Sequence, residues 1–493
     1  MVALVVLATL LCTAWIGDDA FITLRVMDNF VGGHGLRFNL IERVQVFTHP
    51  LWMWFLMPFY ALSREAMVTT MLVSVLLASG ALWLLATRIA THIEYGCLLV
   101  LAAITSRAIC QFSTSGLETP LTFLLLALFV LQLYGSQKIW APAAIAGLLF
   151  FNRLDIAILL LPVMAYVFFR ARGADRLKVA LAAISPAMAW MIFSVVYYGA
   201  PLPNTAYAKL GTGFSRGELI LRGFEYTKDF ILNDPLLALS ISLAVFVALR
   251  SRDWMTKLLG VGIALYVLYT IVIGGDFMSS RFFAPPGFLA LCLLARSTYP
   301  QWLKQRIKPV GLIAIGVVGI LLVARVAEQP INTIPKNGIA DERRFYYARS
   351  GLLPILKEWW TAGVKPAPGM RLGNHAKSIP GPVVAGHFIG MMGYYAGPAV
   401  HIVDVFALSD AFLARLPALP GARVGHYERV LPEGYVSSSL DAAPATNIAE
   451  LRPLLNDVTL ATRAPLFAEG RWDAIWRLLS GHYNWVYERT FAQ

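Results

Sequence analysis

Eleven apolar segments, separated by polar connections, occur in the first 327 residues and constrain the fold more than any other feature. A chain that is 58% hydrophobic and 14% charged, with a mean hydropathy of +0.63, cannot cover a soluble core with polar side chains. The sequence therefore predicts a mainly α-helical polytopic membrane protein with about 11 transmembrane helices in residues 1–327. The segments lie at 2–17, 66–87, 95–111, 120–134, 139–151, 156–169, 179–198, 235–249, 258–274, 282–295 and 309–324.

The connections between these segments differ in charge. We assign every second connection to the same side of the membrane. Within residues 1–327, the connections of one side then carry 13 Lys and Arg against three Asp and Glu, and those of the other side carry 12 basic and 12 acidic residues. Basic connections mark the cytoplasmic face, so the long first loop (18–65) and the C-terminal region are predicted outside a bacterial cytoplasmic membrane. This asymmetry accounts for the net charge of +12 without a nucleic-acid partner. Residues 2–17 are interpreted as a retained span, because no basic segment precedes them.

Residues 49–62 form a further apolar stretch that bears on this topology. A span there would place every later basic loop on the opposite face. The stretch is short and contains Pro58, so the sequence favours an interfacial or re-entrant helix.

The composition changes near residue 328, where charged residues, Gly and Pro become frequent. Residues 328–493 are long enough for a soluble extracytoplasmic domain of the α/β or α+β class. Short buried strands are predicted at 382–385 and 399–404, and helices near 341–361 and 448–456. The four cysteines have neither metal-ligand spacing nor the pattern of a disulfide framework.

Two adjacent carboxylates, Asp18 and Asp19, follow the first apolar segment directly. A carboxylate at a membrane boundary can act as a general base toward a sugar hydroxyl, or the pair can hold a divalent cation. The alternative is a cap at the start of a helix at Ala20, which needs only one aspartate. Arg25, about two helical turns after Asp18, can bind a phosphate bidentately.

Further polar groups lie at the predicted outer ends of the spans. Asp276 and Arg281 flank a glycine-containing connection that also suits a simple turn with a local ion pair. Lys209 can contact a lipid phosphate, although an interfacial lysine is common. In residues 328–493, His375 and His387 are interpreted as isolated histidines with structural roles. The remaining polar groups of note are Glu118, Asn152, Arg153, Asp155, Asp404, His426 and Arg429.

The ordered set of motifs resembles the GT-C superfamily of polyprenyl-phosphate-sugar-dependent glycosyltransferases, and within it the arabinofuranosyltransferase (AftB-like) family. The resemblance runs from near the start to about residue 435. It is carried by Gly17-Asp18-Asp19-Ala20-Phe21-Ile22, Asn29, Gly32, His34-Gly35-Leu36, Glu42-Arg43-Val44, Thr48-His49-Pro50-Leu51-Trp52, Asn204-Thr205-Ala206, Gly274-Gly275-Asp276-Phe277, Arg281, Asp404, Leu413-Ala414-Arg415-Leu416-Pro417, Gly425-His426, Arg429 and Leu431-Pro432.

The resemblance implies a polyprenyl-phosphate sugar donor, such as decaprenyl-phospho-arabinofuranose, and a glycan or protein acceptor outside the membrane. It implies that Asp19 or Asp18 is catalytic, as base or as nucleophile. Under this hypothesis the donor phosphate meets Arg25, Lys209, Arg281 and His49. The predicted residues that support the donor site are Asp276, His34, Glu42 and Asn204. The predicted residues on the acceptor side are Asp404, His426 and Arg429.

Two other functions are compatible with a membrane bundle of this kind. A transporter or flippase of lipid-linked sugars typically shows similar halves and polar residues at the membrane midplane, whereas here the polar clusters lie at one boundary. A non-catalytic envelope assembly protein leaves the co-occurrence of acidic and basic groups at that boundary unexplained. The sequence therefore favours the glycosyltransferase.

Overall fold

The computed structural model describes residues 1–210, 214–297, 301–331, 333–363, 367–423 and 425–488. The protein is mainly helical and divides into two compact units. Unit 1 comprises Met1–Gly17, Trp54–Ala187 and Arg216–Pro366. Unit 2 comprises Asp18–Met53, Met188–Ser215 and Ala367–Gln493.

Unit 1 is built from helices that coincide with the predicted apolar segments. The π-helical turn Leu85–Ile89 extends the helix Met67–Leu84. Two helices, Pro50–Ser63 and Ala174–Tyr198, have residues in both units. The other helices of unit 1 are Val2–Thr13, Met67–Leu84, Ile93–Thr105, Arg107–Phe112, Thr119–Gly135, Ala141–Asn152, Ile156–Arg170, Arg216–Asn233, Pro235–Arg250, Trp254–Val272, the 3-10 turn Arg281–Phe283, Ala284–Arg296, Gln301–Val326, Glu342–Ser350 and Leu352–Ala362.

Four of the described helices are long and apolar enough to cross a membrane. They are Met67–Ile89, Ala174–Tyr198, Trp254–Val272 and Gln305–Val326, and the bent pair Arg216–Asn233 and Pro235–Arg250 makes a fifth if it counts as one span. Further apolar helices of 10–17 residues, such as Val2–Thr13 and Thr119–Gly135, fall short of the ~20 residues of a straight span. At least four spans are therefore present, and the total of 11 stays a prediction.

Contacts within unit 1 join helix ends that the charge pattern assigns to the same side. At the predicted outer end, the Trp15 indole donates to Gln111 O (2.9 Å) and Gly17 N–H donates to Ser115 O (3.1 Å). At the opposite end, Thr91 N–H donates to Ala295 O (3.0 Å). These contacts give unit 1 two distinct ends, as alternating connections require.

The same contacts bear on the helix Pro50–Ser63. Gly17 lies at the predicted outer end, and the helix that begins at Met67 runs toward Thr91 at the other end. These contacts place Gly17 and the start of the helix at Met67 toward the same predicted end of unit 1. The 14 residues of Pro50–Ser63 extend about 21 Å, less than the ~30 Å of a bilayer core. The interfacial or re-entrant helix stays a prediction.

Glycines bring several helices of unit 1 into close contact. A Cβ atom at Gly147 would overlap the main-chain oxygen of Ala182, and one at Gly262 would overlap that of Leu159. Small residues at helix crossings are typical of membrane helices, where close backbone approach replaces the hydrophobic effect as a source of stability.

Unit 2 contains the two predicted strands of the tail, Val383–Ala385 and Ile402–Asp404. They pair in parallel, with Val383 opposite Ile402 and Ala385 opposite Asp404, and the helix Ile389–Ala396 connects them. The strand predictions are thus confirmed. The other helices are Asp18–Val31, Asn204–Leu210, Met370–Ser378, Tyr435–Ser438, Arg452–Arg463 and Arg471–Leu479, with 3-10 turns at Leu413–Arg415, Ala449–Leu451 and Asn484–Glu488.

The residue ranges of the two units differ from the predicted domains 1–327 and 328–493. Residues 328–366 pack within unit 1, whereas 18–53 and 188–215 pack with the C-terminal residues. The helix Asp18–Val31 lies so close to Ile389–Ala396 that a Cβ atom at Gly390 would overlap the main-chain oxygen of Asp18. A packing unit is not a side of the membrane, so the predicted domain boundary stays a prediction.

Candidate active site

Asp18 is buried and holds the start of a helix in the C-terminal part of unit 2. Its two carboxylate oxygens accept hydrogen bonds from the main-chain N–H groups of Gly390 (3.0 Å) and Met391 (2.7 Å). These are among the first N–H groups of the helix Ile389–Ala396, which have no partner within the helix itself. Asp18 therefore caps a helix more than 370 residues away in sequence. The cap predicted from the sequence was on the helix that begins at Asp18 itself, and the structure places Asp18 at the start of a different helix.

The environment of Asp18 disfavours its charge. Burial raises the pKa of its carboxyl to about 7, the two backbone hydrogen bonds oppose this shift, and the negative charges of Asp19 and Asp404 add to it. Asp18 also lies against the helix that connects the two strands, the second of which ends at Asp404. Three carboxylates thus share one region of unit 2.

Asp19 lies on a different face of the same helix. Residues in a helix are rotated by about 100° from one to the next, so Asp19 and Thr23, one turn apart, share a face that Asp18 does not. Thr23 Oγ1 is 2.9 Å from Nε2 of His49, which places this histidine on the face of Asp19. Asp19 is half-buried, in contrast to Asp18. The two aspartates therefore face different surroundings, and a catalytic role for either of them stays a prediction.

Arg25, two turns after Asp18, is buried within unit 2. It is 1% exposed, donates to Val400 O (2.7 Å), and lies over the Phe38 ring at 4.4 Å. Burial lowers the pKa of its guanidinium to about 9. A Cβ atom at Gly393 would overlap Nη1 of Arg25, so the neighbouring helix leaves space for this side chain. The geometry favours a packing role, and phosphate binding by Arg25 stays a prediction.

Asp404, predicted on the acceptor side, organises the loop that follows the second strand. It is fully buried and accepts N–H groups of Phe406 (2.9 Å), Leu408 (2.7 Å) and Ser409 (3.1 Å). Burial raises the pKa of Asp404 to about 7, and these hydrogen bonds oppose the shift. The amide of Asn204 donates to Ala407 O (2.8 Å) in the same loop. Asn204 and Asp404 therefore both hold the loop that follows the second strand.

Two other predicted supporting residues lie elsewhere in unit 2. Glu42 is buried, accepts from the Asn39 amide (3.1 Å) and pairs with Arg463 (3.7 Å); burial raises the pKa of its carboxyl. His34 is exposed, and its main-chain N–H donates to Asn29 O (2.8 Å). Neither is placed near Asp19 by a described contact.

Phe406 follows the second strand and contacts the rings of two histidines. The ring of Phe406 contacts the rings of His426 (5.0 Å between centroids) and His387 (5.2 Å). Burial lowers the pKa of His426 to about 3, with further contributions from the positive charges of Arg423, Lys209 and His387. The structure thus brings two histidines from different segments of unit 2 against the ring of Phe406.

Arg429, predicted on the acceptor side, connects these segments. Its side chain donates to Ala208 O (2.6 Å), beside Lys209, and its main-chain N–H donates to Val405 O (2.9 Å). It is 2% exposed. Arg429 therefore holds the helix that carries Lys209 against the segment that carries Phe406.

Arg281 and Asp276 belong to unit 1, where they join an ionic cluster. Arg281 lies 3.5 Å from both Asp276 and Glu118, and Glu118 also pairs with Arg153 (3.2 Å). Arg153 pairs in turn with Asp155. Three connections predicted on the outer face thus meet through charged groups. The predicted phosphate role of Arg281 stays a prediction, since its guanidinium already faces two carboxylates.

Metal binding by the aspartate pair stays a prediction. Both oxygens of Asp18 take backbone N–H donors, and in the described ranges no three His, Cys, Asp or Glu side chains are arranged to hold a metal ion. Metal binding by Asp18 and Asp19 has no support in this arrangement.

Comparison with known proteins extends the sequence-based resemblance. No family model matches the chain. It is 27% identical to a terminal beta-(1->2)-arabinofuranosyltransferase of Mycobacterium tuberculosis, over 86% of this chain and 82% of the relative. The chain resembles these arabinofuranosyltransferases. The protein of the same name from Corynebacterium glutamicum is 28% identical over 56% of this chain and 47% of its own length. The predicted resemblance is confirmed.

Two solved structures are also similar. They are ArnT from Cupriavidus metallidurans bound to undecaprenyl phosphate, with a TM-score of 0.48 and 14% identity, and its apo state, with 0.47 and 16%. Each covers 81% of this chain and 84% of that chain. Scores at this level do not establish a shared fold.

The structure places two unexpected side chains, His387 and Phe406, beside the predicted residue His426. His387 was interpreted as a lone histidine, whereas the structure places it against Phe406, which also contacts His426. His387 follows the first strand and Phe406 follows the second, so both lie at the carboxyl ends of parallel strands. Ligand sites in parallel sheets occur at this edge, and the predicted strands carried that signal.

Proposed function

We propose that this protein is a membrane glycosyltransferase that moves a sugar, D-arabinofuranose, from a polyprenyl-phosphate donor to a glycan or protein acceptor outside the cytoplasmic membrane. The similarity to terminal arabinofuranosyltransferases over 86% of the chain carries the proposal. Apolar helices and the placement of Asp19 support it. The proposal includes the GT-C fold with 11 spans and an extracytoplasmic C-terminal domain.

Asp19 acts in this proposal as the general base. The acceptor hydroxyl oxygen attacks the anomeric carbon, Asp19 takes the hydroxyl proton, and the bond between the anomeric carbon and the phosphate oxygen breaks. The electron pair of that bond leaves with polyprenyl phosphate. Asp18 does not take this role because both its oxygens hold the helix Ile389–Ala396. His49, on the face of Asp19, is placed to relay the proton.

The test is a transfer reaction with the purified full-length protein in nanodiscs. Polyprenyl-phospho-arabinofuranose carrying a radiolabelled sugar is supplied with an arabinan acceptor, and a polyprenyl-phospho-hexose serves as the matched donor control. The proposal predicts a new glycosidic bond from the arabinofuranose donor and release of one polyprenyl phosphate per bond. A transporter or an assembly protein would form no such bond, which would refute the proposal.

The role of Asp19 as base is tested separately from the activity. A nucleophilic Asp19 would form a sugar ester that intact-protein mass spectrometry detects after donor is added without acceptor. We expect no such adduct on the wild-type protein. A pentose adduct that Asp19→Asn abolishes would contradict the base role while leaving the glycosyltransferase proposal intact.

A further inference from the structure

Three apolar helices of unit 1 end side by side, and two arginines connect their ends. Arg343 donates from Nε to Thr13 O (3.2 Å) and from Nη1 to Arg325 O (3.2 Å). Arg325 donates in turn to Ile104 O (3.1 Å). These carbonyls belong to the last turns of Val2–Thr13, Gln301–Val326 and Ile93–Thr105. Gln305–Val326 is one of the helices long and apolar enough to cross a membrane, so we expect the hydrocarbon layer to end near these carbonyls.

The helix Leu352–Ala362 begins at the same place. The main-chain N–H of Leu352 donates to Ala14 O (2.9 Å), one residue after Val2–Thr13 ends, and Ser350 Oγ donates to Ile16 O (2.6 Å). The 11 residues of this helix extend about 16 Å, whereas a bilayer core is ~30 Å thick. The helix therefore starts at the edge of the hydrocarbon layer and is too short to cross it.

The side chains of this helix form three faces. The face packed against the protein is buried and consists of Leu352 and Ile355. A second face is apolar and exposed, and we call it the Trp360 face; it consists of Leu353, Leu356 and Trp360. These three residues lie within about 60° of one another around the helix axis, because successive residues turn by about 100°. The third face is polar and exposed, and it consists of Lys357, Glu358 and Thr361.

The exposure of the Trp360 face increases toward the end of the helix. Leu353 is 36% exposed, Leu356 43% and Trp360 91%, and the neighbouring Trp359 is 50% exposed. Contact of such a surface with water is unfavourable by about 25 cal/mol for each Å² of apolar area. The face therefore requires a partner that is apolar where it meets the leucines.

A lipid surface fits this face better than a second protein does. Tryptophan is enriched at the membrane–water boundary, where its ring meets acyl chains and its N–H meets the headgroups. Four partly exposed side chains also present less area than the ~800 Å² that each partner buries in a stable protein–protein interface. The start of the helix at the edge of the hydrocarbon layer places the face beside that boundary.

We propose that the helix Leu352–Ala362 lies in the membrane surface, with the Trp360 face between the lipid headgroups and the acyl chains. Helices with one apolar and one polar side bind in this way, parallel to the membrane plane and about 5–10 Å deep. The buried face stays on the protein, and the polar face meets headgroups and water. The membrane surface is a partner separate from the sugar substrates, so this inference does not depend on the proposed function.

Photo-crosslinking identifies the partner directly. p-Benzoylphenylalanine replaces Trp360 in the full-length protein, which is reconstituted in nanodiscs of phosphatidylcholine and phosphatidylglycerol and irradiated. The same residue in place of Glu358 is the matched control, since Glu358 lies about 160° away on the polar face. We expect intact-protein mass spectrometry to show about tenfold more phospholipid adduct at position 360 than at position 358.

The adducts also reveal any other partner. A second irradiation contains an arabinan, so that a glycan bound to the Trp360 face is captured. Equal lipid adduct at the two positions would overturn the inference. A covalent dimer at position 360 in place of the lipid adduct would mean a second copy of the chain, and a glycan adduct would mean a sugar-binding platform; either result contradicts the membrane surface as partner.

Hydrogen exchange tests whether the lipid contact stabilises the helix. Trp360→Glu places a charge on the Trp360 face, and Thr361→Glu is the matched control because it places the same charge on the polar face. Since Trp360 is 91% exposed, its replacement removes little packing within the protein. In nanodiscs, the amides of Leu352–Ala362 should exchange about tenfold faster in Trp360→Glu than in the wild type, and at the wild-type rate in Thr361→Glu.

Equal exchange rates in Trp360→Glu and Thr361→Glu would contradict the inference, because the added charge would then act equally on both faces. The same experiment verifies that the variants are folded. The amides of the helix Trp254–Val272, in the interior of unit 1, should keep their wild-type exchange rates in both.

Discussion

Two neighbouring aspartates acquire different roles through the geometry of one helix. Asp18 faces the helix Ile389–Ala396 and gives both carboxylate oxygens to its main-chain N–H groups. Asp19 is turned about 100° away and shares its face with Thr23, which contacts His49. Asp18 therefore has a structural role, and Asp19 is the candidate catalytic residue of the pair.

The structural role of Asp18 predicts a loss of stability without a change of chemistry. Asp18→Ala removes a helix cap and should lower the free energy of unfolding by about 1–2 kcal/mol. Thermal unfolding in detergent measures the effect, with Glu428→Ala as an exposed carboxylate control in the same unit. An unfolding temperature equal to that of the wild type would show that the cap contributes nothing.

Burial of Asp18 and Asp404 predicts a pH dependence with a definite sign. Each has a folded pKa of about 7 against an ordinary value of 3.8, so between these pH values the folded state binds more protons than the unfolded state. The stability they contribute is present below pH ~4 and is lost as the pH rises through about 7. The apparent unfolding temperature should therefore fall from pH 5.5 to 7.5, and fall less in Asp404→Asn. Parallel slopes for the two proteins would contradict this.

At the scale of elements, the candidate site is organised by two parallel strands and the helix between them. They are Val383–Ala385, Ile389–Ala396 and Ile402–Asp404. The helix receives Asp18 at its start, and the strands place His387 and Phe406 side by side at their carboxyl ends. The close approach of the helix Asp18–Val31 depends on glycine, because a Cβ at Gly390 has no space.

Gly390→Ala should therefore displace the helix Asp18–Val31 and disturb Asp18 and Asp19 together. Overpacking of this kind costs about 1–3 kcal/mol, and the transfer rate should fall with the unfolding temperature. Gly217→Ala is the matched control, since a Cβ at Gly217 meets nothing within 4 Å. Equal stability and activity of Gly390→Ala and Gly217→Ala would show that the contact is dispensable.

At the scale of the whole molecule, the sequence predicted features that depend on local pattern. The apolar segments coincide with helices, and residues 382–385 and 399–404 contain the strands. Contacts between distant segments carry no local signal: Asp18 meets Gly390 and Met391, and Arg429 donates to Ala208 O, across hundreds of residues. For this reason residues 18–53 appeared as a loop, although they pack with the C-terminal residues in unit 2.

The topology predicts which introduced cysteines face outward. Ser63→Cys and Ser437→Cys should react with a membrane-impermeant maleimide on intact cells, because both lie on the predicted outer face. Ser136→Cys and Ser251→Cys should react only after permeabilisation, and all four are made without changing the native cysteines. Labelling of Ser63→Cys only after permeabilisation would mean that Pro50–Ser63 spans the membrane, which would invert the predicted topology.

The central claim is that Asp19 removes the acceptor proton during sugar transfer. The most direct measurement is the initial rate of arabinofuranosyl transfer by Asp19→Asn in nanodiscs, beside the wild type and Asp18→Asn. Loss of a general base predicts a rate at least ~100-fold lower for Asp19→Asn, with an unchanged unfolding temperature. Asp18→Asn should keep most of the activity of its folded fraction. Wild-type transfer by Asp19→Asn would contradict the account.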